Sequence, residues 1–207
     1  ACILGGDPWE DVRPAIVICP GGGYHCVCEY WEGERLAMAY AAAGFNAIVV
    51  NYTTHGGGVY PRQIREVARA FEITREHEWH IDPHRIAVCG SSAGGHLAAS
   101  ISTLWNNEKV FTKEEIESRR MRPDATVLSY PVITSGEKRH HGSFKGLTGI
   151  DNAADPLWEF LSLEKRVNDD TPPAFLWHCF DDPEVPVENS IYYAEALRDH
   201  NIPFELH

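Results

Sequence analysis

The sequence predicts an α/β fold built on a mostly parallel sheet with helices on both faces. Three observations carry this expectation. Continuous apolar, β-branched runs recur along the chain, as strands buried on both faces require. Segments with apolar residues at helical spacing lie between them. Glycine-rich corners, PGGG at 20–23 and GSSAGG at 90–95, follow the ends of two of the runs. Strands alternating with amphipathic helices define the class. The 207 residues, 43% of them hydrophobic, suit one core, so a single domain over 1–207 is expected.

The elements follow in order. "PAIVIC" (14–19) reads as the first buried strand. "EGERLAMAYAAAG" (32–44) reads as a helix, with Leu36, Ala39, Tyr40 and Ala43 on one face and Gly44 closing it. "FNAIVVNY" (45–52) is a second strand. Pro61 opens a helix that turns Ile64, Val67, Ala68 and Phe71 to one side. "RIAVCG" (85–90) is a third strand, and the helix after Ser92 carries Leu97, Ala98 and Ile101. "DATVLSYPVI" (124–133) and "PAFLWHCF" (173–180) are further strands. A helix with Val187, Ile191, Ala194 and Leu197 follows, then "PFELH" (203–207). Residues 131–170, with scattered Gly, Pro, Asn and Asp, are expected to form an irregular, cap-like insertion that shapes a binding site.

Charge and composition exclude several functions. A net charge of −12 disfavours nucleic acid and anionic polymers as partners. No apolar run reaches the ~18 residues a membrane span needs. The opening "ACILGGDPWEDV" has neither a basic start nor a long apolar stretch, so a cytoplasmic location is the expectation. It also lacks an initiator Met, and the chain is expected to be truncated at both ends. Six cysteines are too few for a disulfide scaffold in a chain this long. Cys19 and Cys89 read as core residues, and Cys26-Val27-Cys28 lacks the C-x-x-C spacing of a metal site. Neither metal nor cofactor is expected.

"GSSAG" (90–94) matches G-x-S-x-G with Ser92 at its centre, after a strand and at the start of a helix. That context holds a nucleophile on a tight turn, with Gly90 and Gly94 small enough for strand and helix to approach. The helix start favours developing negative charge. Ser91 occupies the flanking position. "CPGGGYHC" (19–26) offers backbone N–H groups free of side chains, as an oxyanion requires. A phosphate loop is excluded, because neither G-x-G-x-x-G nor G-K-[ST] is present. "HCFDDPEVP" (178–186) holds two candidate acids late in the chain. Asp182 begins D-x-x-V-P beyond the strand end and is favoured; Asp181 is the residue expected to bond the turn, and an Asx-type turn or helix N-cap is the alternative for the pair.

These segments resemble the α/β-hydrolase superfamily, and within it the small esterases related to hormone-sensitive lipase and the acetyl-xylan esterases. "PGGGY", "NY" after the second strand, "HIDPHRIAVCGSSAGGHLAA", "LSYPVI" and "PPAFLWH…DDPEVPVENS" resemble family segments in the expected order over nearly the whole chain. Pro20 stands where lipases often carry the His of HGGG. The resemblance implies Ser92 as nucleophile and Asp182 as acid, with an oxyanion hole from the N–H groups of Gly22, Gly23 and Ala93. It also implies a catalytic His in a loop after the last strand. His207 lies in or at the end of that strand, too early for the base, so the base is expected after residue 207. Of the other histidines, His178 is expected in the core and His96 toward the sheet or a neighbouring loop. His25, His55, His140 and His141 sit on segments within reach of the site.

The function expected is a serine esterase acting on small carboxylic esters through an acyl-enzyme on Ser92, with acetylated sugars or xylo-oligosaccharides as substrates. A peptidase or amide hydrolase on the same triad, and a non-catalytic binding protein of this fold, are the alternatives. Tyr24, Trp31, Tyr60 and Trp158 are candidate rings for stacking on sugars, or core residues. The expected partners are the ester substrate and a second copy of the chain, with no nucleic acid and no membrane.

Overall fold

The computed structural model describes residues 2–3, 12–54, 59–77 and 79–207, and among them seven strands form one sheet. The strands are β1 (Cys2–Ile3), β2 (Arg13–Cys19), β3 (Asn46–Val49), β4 (Ile81–Ser91), β5 (Ala125–Ser129), β6 (Ala174–Trp177) and β7 (Phe204–Leu206). Their spatial order is β1-β3-β2-β4-β5-β6-β7. β1 runs antiparallel to β3, and the other neighbours pair in parallel. The helices are α1 (Arg35–Ala42), α2 (Arg62–Glu76), α3 (Ser92–Leu104), α4 (Lys113–Ser118), α5 (His141–Thr148), α6 (Pro156–Phe160) and α7 (Glu188–Asp199).

Alternate residues of the central strands feed two cores, as a sheet covered on both sides requires. Ile16, Ile18, Ala47, Val49 and Cys89 pack with Ala37 of α1 on one face. Ala15, Val17, Cys19, Ile48 and Val88 face the larger core, shared with Ile64, Val67 and Phe71 of α2 and Leu97 and Ile101 of α3. α3 is buried from Ala93 to Leu104, so the helix that begins at Ser92 is held on all sides. On the α1 side of β6, Phe175 and Trp177 are exposed.

Several boundaries differ from the sequence expectation for local reasons. The helix expected over 32–44 begins as a π-helical turn, Glu29–Glu34, before α1 takes over. Gly33 in that turn lies against Pro20 and Val49, where a methyl group would meet Val49 Cγ1 at 2.9 Å. The strand expected over 124–133 stops at Ser129, because Tyr130 turns to φ +37°. β4 starts earlier than expected, at Ile81. The segment 131–170, expected to be irregular, contains α5, α6 and a 3₁₀ turn at Leu163–Lys165. α4 carries a capping box between Thr112 and Glu115. The T-x-x-E spacing announces it, but no apolar periodicity follows to draw attention there.

Candidate active site

Ser92 sits where β4 ends and α3 begins, with φ +53°. A non-glycine residue in that region is strained, and such strain persists only where the surroundings over-determine it. Here they do. A methyl group on Gly90 would lie 2.1 Å from Gly94 O, and one on Gly94 would lie 2.0 Å from Cys19 O. Strand, helix and the end of β2 therefore meet backbone to backbone. The Ser92 carbonyl accepts from Val132 N–H at 3.0 Å, tying the turn to the loop after β5. Ser92 is half-buried, whereas Ser91 is buried beside the Tyr130 phenol. Ser91 is thus withdrawn from solvent, in keeping with its flanking place in the motif.

The glycine loop lies over this turn, since a methyl group at Gly21 would stand 3.0 Å from Ser92 Cβ. Gly22, Gly23 and Tyr24 all have positive φ, +127°, +64° and +62°. Peptide geometry fixes where their donors point, because the C=O and N–H of a trans peptide face opposite ways. Gly21 C=O accepts from Cys28 N–H at 2.9 Å, so Gly22 N–H turns away from Cys28. Gly22 C=O accepts from His25 N–H and Cys26 N–H at 3.0 and 3.2 Å, which likewise turns Gly23 N–H away from those two residues. Ala93 N–H belongs to the first turn of α3, whose donors lack partners within the helix. The loop is anchored beneath by Tyr52 Oη donating to Pro20 O at 2.5 Å and by Tyr24 Oη paired with His96 Nδ1 at 2.9 Å.

The acid candidate stands at the same edge of the sheet. Ser91 pairs with Ser129, and Ser129 with Trp177, so the ends of β4 and β6 lie two strand spacings apart, roughly 10 Å. Asp182 follows β6. Its Oδ1 accepts from Glu184 N–H and Val185 N–H, both at 2.9 Å, and its side chain is half-buried. One correction follows: Asp182 bonds this turn, not Asp181, which is exposed. Using one oxygen for the turn fixes the carboxylate and leaves Oδ2 for another partner.

Several histidines have partners of their own, and His140 also stands within electrostatic reach of Asp182 and Glu184. His96 Nε2 meets Leu161 O at 2.9 Å, so this buried ring is used on both sides. His178 is in the core, bonded to Ser190 Oγ and Val185 O at 2.8 Å each, with Asp182 Oδ2 at 3.8 Å. His140 caps α5 through Nδ1 to Ser143, and His141 pairs with Asp151. His207 continues the β6–β7 pairing, stacks on Phe175 and reaches Glu205. His25 lies beside Gly23 and Gly146. His55 lies outside the described residues. Among the candidate stacking rings, Tyr24 and Trp158 are fully buried and Tyr60 is half-buried, whereas Trp31 is exposed.

Burial pushes the His96 pKa from its ordinary 6.5 down to about 4, because the charged ring would lose its water. The unfolded chain therefore takes up that proton first. Stability from this group is complete above about pH 6.5 and is lost as the pH falls toward 4, by up to ~3 kcal/mol. Denaturant titrations at pH 7, 6 and 5 are expected to show this slope, and His96→Asn should be less stable at pH 7 but flatter across the range. An unchanged slope in that variant would refute the assignment.

The fold and this turn define an α/β hydrolase. The BD-FAE family model matches residues 8–197, and the chain belongs to that family. The chain is 38% identical over 201 residues to an endo-1,4-β-xylanase B of Butyrivibrio fibrisolvens, covering 94% of this chain and 31% of that protein. It is 34% identical over 192 residues to an acetylxylan esterase of Xylanibacter ruminicola, covering 89% of this chain and 37% of that one. It thus spans about a third of these curated relatives' length. An acetyl ester-xyloside bifunctional hydrolase from Caldicellulosiruptor lactoaceticus superposes with TM-score 0.87 at 38% identity, covering all of this chain and 75% of that structure. A carboxylesterase from Lactobacillus plantarum superposes with TM-score 0.82 at 27% identity, again with 100% and 75% coverage.

Proposed function

We propose that this chain carries the nucleophilic site of a serine esterase that hydrolyses small carboxylic esters, acetylated sugars or xylo-oligosaccharides in particular. The observation that carries the reading is Ser92, held at φ +53° against a glycine loop whose Gly21 and Gly22 carbonyls are bonded within the loop, which turns the Gly22 and Gly23 N–H groups away from those bonds. Ser92 Oγ attacks the ester carbonyl carbon while a base takes its proton. The carbonyl electron pair moves onto oxygen, where the N–H groups of Gly22, Gly23 and Ala93 receive it. The electrons return, the C–O bond breaks, and the alcohol leaves with the proton from the base. Water then attacks the acyl-enzyme by the same steps and releases the acid. Asp182 Oδ2 orients the base.

The reading takes the base to be a histidine after the last strand, where the family resemblance implies it. Among the described histidines, both ring nitrogens of His96 and of His178 are already bonded, His207 is aligned along β6, and His140 caps α5 through Nδ1 while lying within reach of the Asp182 charge. The acetylxylan esterase and acetyl ester-xyloside hydrolase among the relatives support acetyl as the acyl group and a xylose-based alcohol. A p-nitrophenyl ester series on the full-length protein tests this. The acetate is expected to have the highest kcat/KM, at least about tenfold above the octanoate. A preference for the octanoate, or no hydrolysis of any ester by the folded protein, would overturn the reading.

A further inference from the structure

Glu32 is an acidic residue placed where an esterase has no evident need of one, close to a site built to attract negative charge. Its carboxylate stands in the π-helical turn after the glycine loop, half-buried. Oε2 accepts Gly21 N–H at 2.5 Å, and Oε1 accepts the Tyr130 hydroxyl at 3.2 Å. Tyr130 also lies beside Ser91, the residue before the nucleophile, and its N–H donates to Trp177 O at 2.7 Å. One carboxylate thus joins the loop after β2, which packs on the corner at Ser91 and Ser92, to the loop after β5 and, through Tyr130, to the end of β6.

We propose that Glu32 is a positioning residue that fixes the direction of the oxyanion donors; this deepens the esterase reading and rests on it. The Gly21 residue is pinned at both ends. Its N–H goes to Glu32 and its C=O accepts from Cys28 N–H at 2.9 Å, so the peptide that carries Gly22 N–H has no freedom to rotate. The three positive-φ residues that follow, Gly22, Gly23 and Tyr24, would relax toward other turns without such a tether. A carboxylate is suited to the task because two donors converge on it and it has only acceptors to offer. Charge also strengthens both bonds. A glutamine at this place keeps the shape but turns an N–H₂ group toward one of the two donors. The contacts reach Gly21 and Tyr130, while the substrate meets only the N–H groups they aim.

The test uses Glu32→Gln, Tyr130→Phe and Ser92→Ala in the full-length protein, with p-nitrophenyl acetate kinetics, thermal melting and the inhibition constant of a boronic acid that forms a tetrahedral adduct. Glu32→Gln is expected to lower kcat about 10–100-fold with KM within about twofold, because misaimed donors cost transition-state binding alone. Boronic acid inhibition should weaken in proportion, and melting should stay near wild type. Tyr130→Phe, which removes one donor and keeps the ring against Trp177, should lose about tenfold in kcat. Wild-type kcat in a folded Glu32→Gln would overturn the proposal, as would a loss confined to KM. Should Glu32→Gln fail to fold, wild-type kcat in Tyr130→Phe would overturn it instead. Ser92→Ala separates the two ideas: full activity there removes the esterase reading at this site, whereas activity lost there but kept in Glu32→Gln removes only the role of Glu32.

Discussion

Ser92→Ala is expected to lower kcat for p-nitrophenyl acetate by roughly 10⁶-fold in the full-length protein, the scale seen when the nucleophile of a serine hydrolase is removed. The loss should appear without loss of fold. Only Oγ is deleted, the positive φ is as strained for alanine as for serine, and the Ser92 C=O bond from Val132 N–H at 3.0 Å is kept. Some turnover should survive, because binding and oxyanion donors act without the nucleophile. Ser91→Ala is expected to be far milder, since Ser91 is buried beside Tyr130 and out of reach of a substrate. Steady-state kinetics with melting curves for both variants check the ranking. The reverse order would move the nucleophile.

Gly94→Ala should have the largest effect on stability, with a loss of about 3 kcal/mol or more. A methyl group there would lie 2.0 Å from Cys19 O and 2.4 Å from Pro20 O. Both are backbone atoms at the end of β2, in the centre of the sheet, and cannot swing aside as a flexible side chain could. The start of α3 must then move away from β2, and the contact of Gly21 with Ser92 opens with it. Activity is expected to fall together with stability. Gly142→Ala in α5 is the control, since its nearest contact would be 3.4 Å, and helix propensity favours alanine. Equilibrium denaturation compares the two. A wild-type midpoint for Gly94→Ala would mean that the strand and helix do not meet as closely as described.

The parts of this molecule that were legible in the sequence are those set by local chemistry. β-branched runs marked β2, β3 and β4, and G-x-S-x-G marked the corner at Ser92, because both signals lie within a few adjacent residues. The Asp pair was legible as a turn after β6, but not in its division of labour. Either carboxylate could make the turn, and only the backbone path chose Asp182 for the bonds to Glu184 and Val185. Glu32 passed unnoticed for a different reason. Its partners stand 11 and 98 residues away, so nothing local separates it from a solvated glutamate near a helix start. An acidic residue shortly after a glycine loop was its one visible sign. Trp158 and Tyr24 could equally have been stacking platforms, and packing placed both in the core.

The account stands most directly on the identity of the nucleophile. Treating the full-length protein with a fluorophosphonate and mapping the adduct by peptide mass spectrometry reads this without reference to any substrate. Attack by a serine oxygen expels fluoride and leaves a stable phosphonyl ester on that residue. The account predicts one adduct, on Ser92, formed in step with loss of esterase activity and absent in Ser92→Ala. An adduct on Ser91 or on another residue, or full inactivation with Ser92 unmodified, would contradict it.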